Sequence, residues 1–227
     1  MSAPLSFLSC LLAVAALAAA PFGFAQDRPA ASAQTLAEIA AEAKRKKQES
    51  TRPVLSNEEM PAAGLPSIKL LRQSPNPPSL APYEATPMPA VEALLEVAGV
   101  RKDEVVFDIG SGDGRIVIAA AEHFGAFGVG IEIDSDLVAR SRKTIEEKGL
   151  TERVSIIHAN ALDVDLSAAD VVTLYIAPEG MRLLRPHLEA TLRPGTRVVS
   201  RRSEMEGWTA AHIERREGDA IYLYRVP

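Results

Sequence analysis

The chain has 227 residues, 47% hydrophobic and 24% charged, which suits one globular domain with additional segments rather than two full domains. Its formal charge of -5 is unevenly spread, because residues 81–227 hold 24 acidic and 17 basic side chains. Duplex DNA and structured RNA usually require a basic surface, so this balance argues against a nucleic-acid partner.

Residues 1–26 contain an uncharged apolar run at residues 5–25 with no polar face at helical spacing, which predicts a membrane-directed segment and membrane contact. Two interpretations stay open, and both imply a cell-envelope location. Pro21 and the small residues after it are typical of a signal peptide cleaved near Ala25, which predicts an exported protein. The four basic residues at 44–47, against none before the run, favour an uncleaved anchor with the rest of the chain facing the cytoplasm.

Residues 27–80 have the composition of a flexible linker, since Pro, Ala, Ser and charged residues dominate. One short helix is predicted within it, because Thr35 and Glu38 have the spacing of a capping box ahead of a thin apolar stripe. The remaining residues, 81–227, form the predicted domain.

After Tyr83 the patterns of strands and helices alternate, which predicts a doubly wound, mostly parallel α/β sheet of seven strands. Five strands are predicted at residues 104–109, 128–133, 154–158, 170–176 and 197–200. Four helices are predicted at residues 89–99, 115–124, 135–148 and 181–192, and Ser135 is the expected cap of the third. Two final strands, at residues 212–217 and 220–226, are predicted to pair as a C-terminal antiparallel hairpin.

A glycine-rich turn follows the first predicted strand and reads Asp108-Ile109-Gly110-Ser111-Gly112-Asp113-Gly114. Such a turn lets the backbone approach a ligand closely and directs helix N-terminal amides at the polar group of that ligand. Arg115 stands where a dinucleotide-binding motif has its third glycine, and Asp108 would repel a pyrophosphate. The carboxylate of Asp108 instead suits an ammonium group.

Acidic side chains also end the second predicted strand. Glu132 can accept hydrogen bonds there from both hydroxyls of a ribose. Asp134 is the neighbouring candidate, although we expect it to act with Ser135 at the start of the next helix.

With these motifs, residues 82–227 resemble the class I, Rossmann-type methyltransferases that use S-adenosylmethionine. The resemblance implies S-adenosylmethionine as the cofactor, with Asp108 and the glycine turn beside its methionine part and Glu132 on its ribose. The adenine-contacting position of the family falls on Asn160, whose side-chain carbonyl can accept a hydrogen bond from the adenine amino group. The candidate cofactor-binding residues are therefore Asp108, Gly110, Ser111, Gly112, Gly114, Glu132 and Asn160.

A narrower resemblance is to the small lysine methyltransferases that modify mitochondrial inner-membrane proteins, and to their bacterial relatives. It rests on Pro82-Tyr83 and Thr86-Pro87 ahead of the domain and on the late Trp208. Relatives tend to have His or Cys followed by an aromatic residue after the fifth strand, where this chain has Arg201-Arg202. The resemblance implies a protein lysine amine as the acceptor, with membrane-associated proteins among the expected partners.

The residues alone leave the acceptor open. Tyr175, at the end of a central strand, is the candidate catalytic residue because its hydroxyl or ring face can receive an amine, and a core tyrosine is the alternative. The histidines and acids show no metal-ligand spacing, so no metal is expected. A small-molecule methyltransferase and a non-catalytic envelope protein with the same fold remain the other interpretations.

Overall fold

A computed structural model gives the fold of the chain, and it describes residues 65, 68–71, 80, 83–216 and 219–227. The segments at residues 5–25 and 35–48, for which we expected a membrane-directed run and a short helix, lie outside the described residues.

The expectation of a cell-envelope location is corrected by this structure. Within the described residues no helix is long and apolar enough to cross a membrane, and the longest has 14 residues where a span needs about 20. The anchored form, the exported form and the membrane contact expected of residues 5–25 thus have no support in the described part of the chain.

Seven strands form one mixed sheet. In chain order they are β1 (Val105–Ile109), β2 (Phe127–Glu132), β3 (Val154–His158), β4 (Val171–Leu174), β5 (Arg197–Arg201), β6 (His212–Arg216) and β7 (Asp219–Arg225). Their order across the sheet is β3-β2-β1-β4-β5-β7-β6. Strands β1 to β5 run parallel, and β7 inserts antiparallel between β5 and β6. The doubly wound, mostly parallel sheet with a C-terminal antiparallel hairpin is thereby confirmed.

Among the described residues four α-helices flank the sheet, and their bounds are α1 (Met88–Ala98), α2 (Arg115–Phe124), α3 (Ser135–Glu147) and α4 (Pro178–Thr191). Helix α3 is capped by Asp134, whose carboxylate accepts hydrogen bonds from the amides of Asp136 and Leu137, so the expected cap at Ser135 is wrong by one residue. Helix α4 begins three residues earlier than predicted, because Pro178 fits the first turn, where no amide is needed for an intrahelical bond.

The two faces of the sheet bury separate apolar clusters, because successive side chains of a strand point to opposite faces. Phe107 packs with Leu184 and Leu188 of α4 on one face. Its neighbour Val106 packs with Leu94 of α1 and with residues of α2 on the other face. With both faces covered, the carboxyl-terminal edge of the parallel strands is left to form a site.

Part of the segment expected to be a linker packs on this fold. Leu70 forms an isolated antiparallel bridge with Val164, and the amide of Leu71 donates to the carbonyl of Asp163 at 2.7 Å. Ile68 is buried in the apolar cluster beneath α4. Residues 68–71 therefore contribute to the packing of the domain.

Candidate active site

A pocket of about 470 Å³ opens at the carboxyl-terminal edge of β1, β2 and β4. It brings together most of the residues that the sequence singled out, namely Asp108, Gly110, Ser111, Gly112, Glu132, Asn160 and Tyr175. Gly114 does not line it. The strands that end here are parallel neighbours, so side chains that follow different strands meet at one edge.

The turn after β1 has the backbone shape that its glycines permit. The φ angles of Gly110, Gly112 and Gly114 are +72°, +57° and +78°, a region that other residues enter only with strain. The amides of Gly110 and Ser111 both donate to the carbonyl of Ile131, at 2.9 and 3.0 Å. The turn is thus fixed to the end of β2.

Two of these glycines make close approaches of different kinds. A Cβ on Gly112 would lie 2.4 Å from Cε2 of Tyr83, so the tyrosine ring can lie against the turn only because that position has no side chain. A Cβ on Gly114 would lie 3.1 Å from Cβ of Ser141, beneath the turn. Gly114 therefore serves the packing of the turn and the start of α2 rather than the wall of the pocket.

The buried carboxylate of Glu132 organises the second wall of the pocket. Its Oε2 accepts a hydrogen bond from the amide of Gly112 at 2.7 Å, and its Oε1 accepts from the amides of Ile133 and Asp134 at 2.8 and 2.9 Å. A carboxylate offers about four acceptor positions, so Glu132 retains capacity for a ligand hydroxyl. The side chain of Asp134 is committed to the cap of α3.

Asp108 is buried at the base of the pocket and is supported by Thr173 of β4, whose hydroxyl donates to its Oδ1 at 2.6 Å. Burial raises the pKa of Asp108 to about 7, the hydrogen bond from Thr173 lowers it, and the charges of Glu132 and Asp113 raise it further. The site therefore favours a cationic ligand group beside Asp108, which would restore the charged carboxylate. Sequence reasoning missed Thr173, whose only signal was a hydroxyl in an otherwise apolar strand.

Asn160 differs from its expected arrangement. Its Oδ1 accepts a hydrogen bond from the amide of Leu162 at 3.1 Å and so caps a short 3-10 helix, Ala161–Asp163. Its Nδ2 is buried and has no hydrogen-bond partner within the described part of the chain. The carbonyl already accepts one bond in the cap, so the wholly unpartnered group that faces a ligand is the donor Nδ2.

The hydroxyl of Ser111 is the second buried polar group of the pocket that lacks a partner among the described residues. Buried polar groups are nearly always hydrogen-bonded, so unpartnered groups that line a pocket indicate that a polar ligand satisfies them. The glycine turn and these two side chains fit a nucleoside linked to an amino acid, which is the composition of the expected cofactor.

Residues 83–86 form a further wall that sequence reasoning did not assign to the site. Tyr83 and Thr86 line the pocket. Arg115 joins this segment to the turn, because its Nη1 donates to the carbonyl of Thr86 at 2.8 Å while its Nε donates to Asp113 at 2.8 Å. The guanidinium also holds the pKa of Asp113 below its ordinary value. We call residues 83–86 the entry segment.

Tyr175 lies directly after β4 at the mouth of the pocket. The guanidinium carbons of Arg201 and Arg202 lie 4.6 and 5.4 Å from its ring centroid, and Nη1 of Arg202 donates to its hydroxyl. Burial, followed by a hydrogen bond to Glu84, raises the pKa of Tyr175. Because two cations already lie over the ring, the hydroxyl is better suited than the ring face to receive an amine.

A family model described as the ANTKMT methyltransferase domain matches residues 108–212. A protein-lysine N-methyltransferase of Saccharolobus islandicus is 40% identical over 150 residues, which cover 64% of this chain and 93% of that protein. The adenine nucleotide translocase lysine N-methyltransferase of Mus musculus is 31% identical over 145 residues, which cover 64% of this chain and 63% of the mouse protein.

Among solved structures, the chain is similar to a crystal structure of an RNA methyltransferase from Salinibacter ruber in complex with S-adenosyl-L-homocysteine. The identity is 45% and the TM-score 0.62, and the match covers 63% of this chain and 94% of that one.

Proposed function

The chain belongs to the S-adenosylmethionine-dependent class I methyltransferases that carry the ANTKMT methyltransferase domain, and from this premise we propose that it methylates the side-chain amine of lysine in a protein. The observation that carries the proposal is the 40% identity to a protein-lysine N-methyltransferase of which the chain covers 93%. The mouse relative, of which the chain covers less than two thirds, is also named for a lysine acceptor in a protein.

In this proposal the pocket holds S-adenosylmethionine through residues of three strand ends. Asp108 receives the ammonium of the methionine part, and Glu132 accepts a hydrogen bond from a ribose hydroxyl. The free Nδ2 of Asn160 donates to a ring nitrogen of the adenine, and the hydroxyl of Ser111 supplies a further hydrogen bond. The unpartnered state of these last two groups supports the assignment.

The chemistry that the cofactor supplies when bound is an electrophilic methyl group, whose bond to sulfur breaks toward sulfur as the lone pair of the acceptor nitrogen forms the new bond. The residues of the chain provide position. Tyr175 and the entry segment bound the mouth of the pocket, so they align the amine and exclude water. The lysine ammonium loses one proton to solvent before transfer, and the methylated nitrogen carries the positive charge afterwards.

The charge of the domain supports a cationic acceptor over an anionic one. Residues 81–227 hold more acidic than basic side chains, and Glu84 puts a carboxylate on the lining of the pocket. A lysine-bearing protein is attracted to such a surface, whereas an RNA backbone is repelled. RNA, named for the Salinibacter protein, and a small-molecule amine are the competing acceptors that an experiment must distinguish.

The test is transfer of label from tritiated S-adenosylmethionine to fractionated lysate, with Asp108→Asn, which should bind the cofactor more weakly, as the control. We expect the label to be lost on protease treatment, to resist ribonuclease, and to migrate as methyl-lysine after acid hydrolysis. Label that is sensitive to ribonuclease, or that passes a small-pore filter, would replace the lysine proposal with an RNA or small-molecule acceptor.

A further inference from the structure

Glu84 places an exposed carboxylate at the mouth of the pocket. It lines the pocket together with Tyr175, and its Oε1 lies 3.1 Å from Nη1 of Arg202. The pKa of Glu84 lies below its ordinary value, first because the hydroxyl of Tyr175 donates a hydrogen bond to it and then because Arg202 is close. The ionised carboxylate of Glu84 and the hydroxyl of Tyr175 therefore share one cation, the guanidinium of Arg202. They do so at the mouth of the pocket, where an acceptor must enter.

Arg202, the cation in this arrangement, has an unusual backbone. Its φ angle is +65°, in the left-handed region that disfavours side chains with a Cβ. Its amide donates to the carbonyl of Ala220 at 2.8 Å, and its Nε donates to Asp219 at 2.7 Å. Strained residues of this kind tend to occur at functional sites, where the surroundings hold them in place.

The two neighbouring arginines differ in how firmly they are held. Arg201 is 3% exposed, donates to Asp219 through Nε at 2.7 Å, and lies over the ring of Tyr175. Arg202 is 48% exposed, and its Nη1 reaches Glu84 across the surface. Arg201 therefore fixes the tyrosine, whereas the exposed guanidinium of Arg202 can turn away from Glu84 as a unit, and Asp219 then keeps Arg201 as its partner.

The pair of Glu84 and Arg202 is not required to hold the entry segment. Arg115 already ties that segment to the glycine turn through the carbonyl of Thr86, and Tyr83 lies against Gly112. An ion pair between exposed side chains contributes little to stability. These points favour a role for the ion pair at the mouth of the pocket over a role in fastening the entry segment.

We propose that Glu84 is the docking carboxylate for the primary ammonium of the acceptor lysine, and that Arg202 occupies this position until the lysine displaces it. The proposal rests on the lysine acceptor proposed above. The incoming ammonium takes the place of Nη1 of Arg202 at the carboxylate of Glu84 and the hydroxyl of Tyr175. One cation replaces another, so Glu84 and Tyr175 keep a cationic partner while the lysine docks. Arg202 thereby acts as an internal competitor that sets how strongly a lysine must bind.

The exchange makes a prediction that a fastening role does not. Removing Glu84 and removing Arg202 should change lysine binding in opposite directions, because one is the receptor and the other the competitor. If the pair only held the entry segment, both changes would loosen it and would act in the same direction.

The experiment uses full-length protein saturated with S-adenosyl-L-homocysteine and titrates pentalysine by calorimetry. The variants are Glu84→Gln and Arg202→Gln. Glu96→Gln is the matched control, because Glu96 and Arg216 form another exposed pair at 3.1 Å, with exposures of 54% and 49%. We expect Glu84→Gln to weaken pentalysine binding about tenfold and Arg202→Gln to strengthen it about threefold, with Glu96→Gln within about twofold of wild type.

Cofactor affinity and thermal melting are measured beside each titration, and all three variants should match wild type in both. Shifts of the same sign in Glu84→Gln and Arg202→Gln, or no binding of pentalysine by wild type, would overturn the exchange. Failure of wild type to bind S-adenosyl-L-homocysteine would instead remove the proposed function itself. If Glu84→Gln and Arg202→Gln shift pentalysine binding in the same direction while wild type still forms methyl-lysine, the proposed function stands and only the exchange is wrong.

Discussion

The amide of Gly112 donates a hydrogen bond of 2.7 Å to Oε2 of Glu132, so the turn after β1 and the end of β2 form one structural unit. The same carboxylate accepts from the amides of Ile133 and Asp134. Glu132 thus shapes the pocket before any ligand is present, and a substitution there should affect stability as well as binding.

Glu132→Ala should weaken S-adenosylmethionine binding by roughly 2 to 4 kcal/mol, because it removes a charge-assisted bond to the ribose and the carboxylate that holds the glycine turn. It should also lower the melting temperature, since the three amides lose their acceptor. Calorimetry and thermal melting measure the two effects. Glu147→Ala, which removes an exposed glutamate of α3, is the control and should leave both unchanged. Unchanged cofactor affinity in a folded Glu132→Ala protein would remove Glu132 from the site.

Gly112→Val should abolish cofactor binding while the domain stays folded. The new side chain would collide with the ring of Tyr83, whose exposed position lets it move aside, and would resist the φ angle of +57°. The collision and the backbone strain can be separated with Gly112→Ala in a Tyr83→Ala background. We expect the melting temperature of the double variant to be higher than the sum of the two single-variant shifts would give, because the collision is absent. Strict additivity would mean that Tyr83 does not lie against the turn.

Asp108→Asn should stabilise the protein without ligand at alkaline pH. The carboxyl has a pKa of 3.8 when unfolded and about 7 when folded, so the folded state holds the proton more tightly. Its contribution to stability is present below about pH 4 and is lost as the pH rises to about 7. The melting temperature of the variant should therefore equal that of wild type near pH 4 and exceed it at pH 8.

The same substitution should weaken S-adenosylmethionine binding at least about tenfold at pH 8, because the cofactor ammonium loses its ionic partner. In wild type, binding should weaken as the pH falls from 8 to 5 and Asp108 takes up its proton. Calorimetry at several pH values measures both effects. Binding that does not change with pH in wild type, together with an unaffected variant, would show that the ammonium lies elsewhere.

The fold could be predicted from the sequence because its strands are short apolar runs that alternate with amphipathic helices. Strand β3 was predicted at its observed bounds, while β4 was predicted as residues 170–176 and spans Val171–Leu174. The last residues of that apolar run leave the sheet and form the wall of the pocket. Apolar character reports burial, and burial alone does not distinguish a strand from a covered loop.

The site was predictable where its residues belong to local motifs. Asp108 and Gly112 lie in one turn, and Glu132 ends the next strand, so their meeting follows from parallel topology. The contact between Glu84 and Arg202 joins positions 118 residues apart and depends on the path of the entry segment. No periodicity encodes such a contact, and the sequence therefore gave no sign of it.

Asn160→Asp tests which group of this side chain reaches the ligand. The substitution keeps the oxygen that accepts from the amide of Leu162, so the 3-10 helix should stay capped and the melting temperature should change little. It replaces the unpartnered Nδ2 donor with a second acceptor oxygen. If Nδ2 donates to a ring nitrogen of adenine, the variant should bind S-adenosylmethionine about tenfold more weakly, since an oxygen would face an acceptor and a desolvated charge would be added.

Asn160→Ala, which removes both groups, should lower the melting temperature as well as the affinity. Calorimetry on the three proteins decides the assignment, and tighter binding by Asn160→Asp would show instead that this side chain accepts from the adenine amino group.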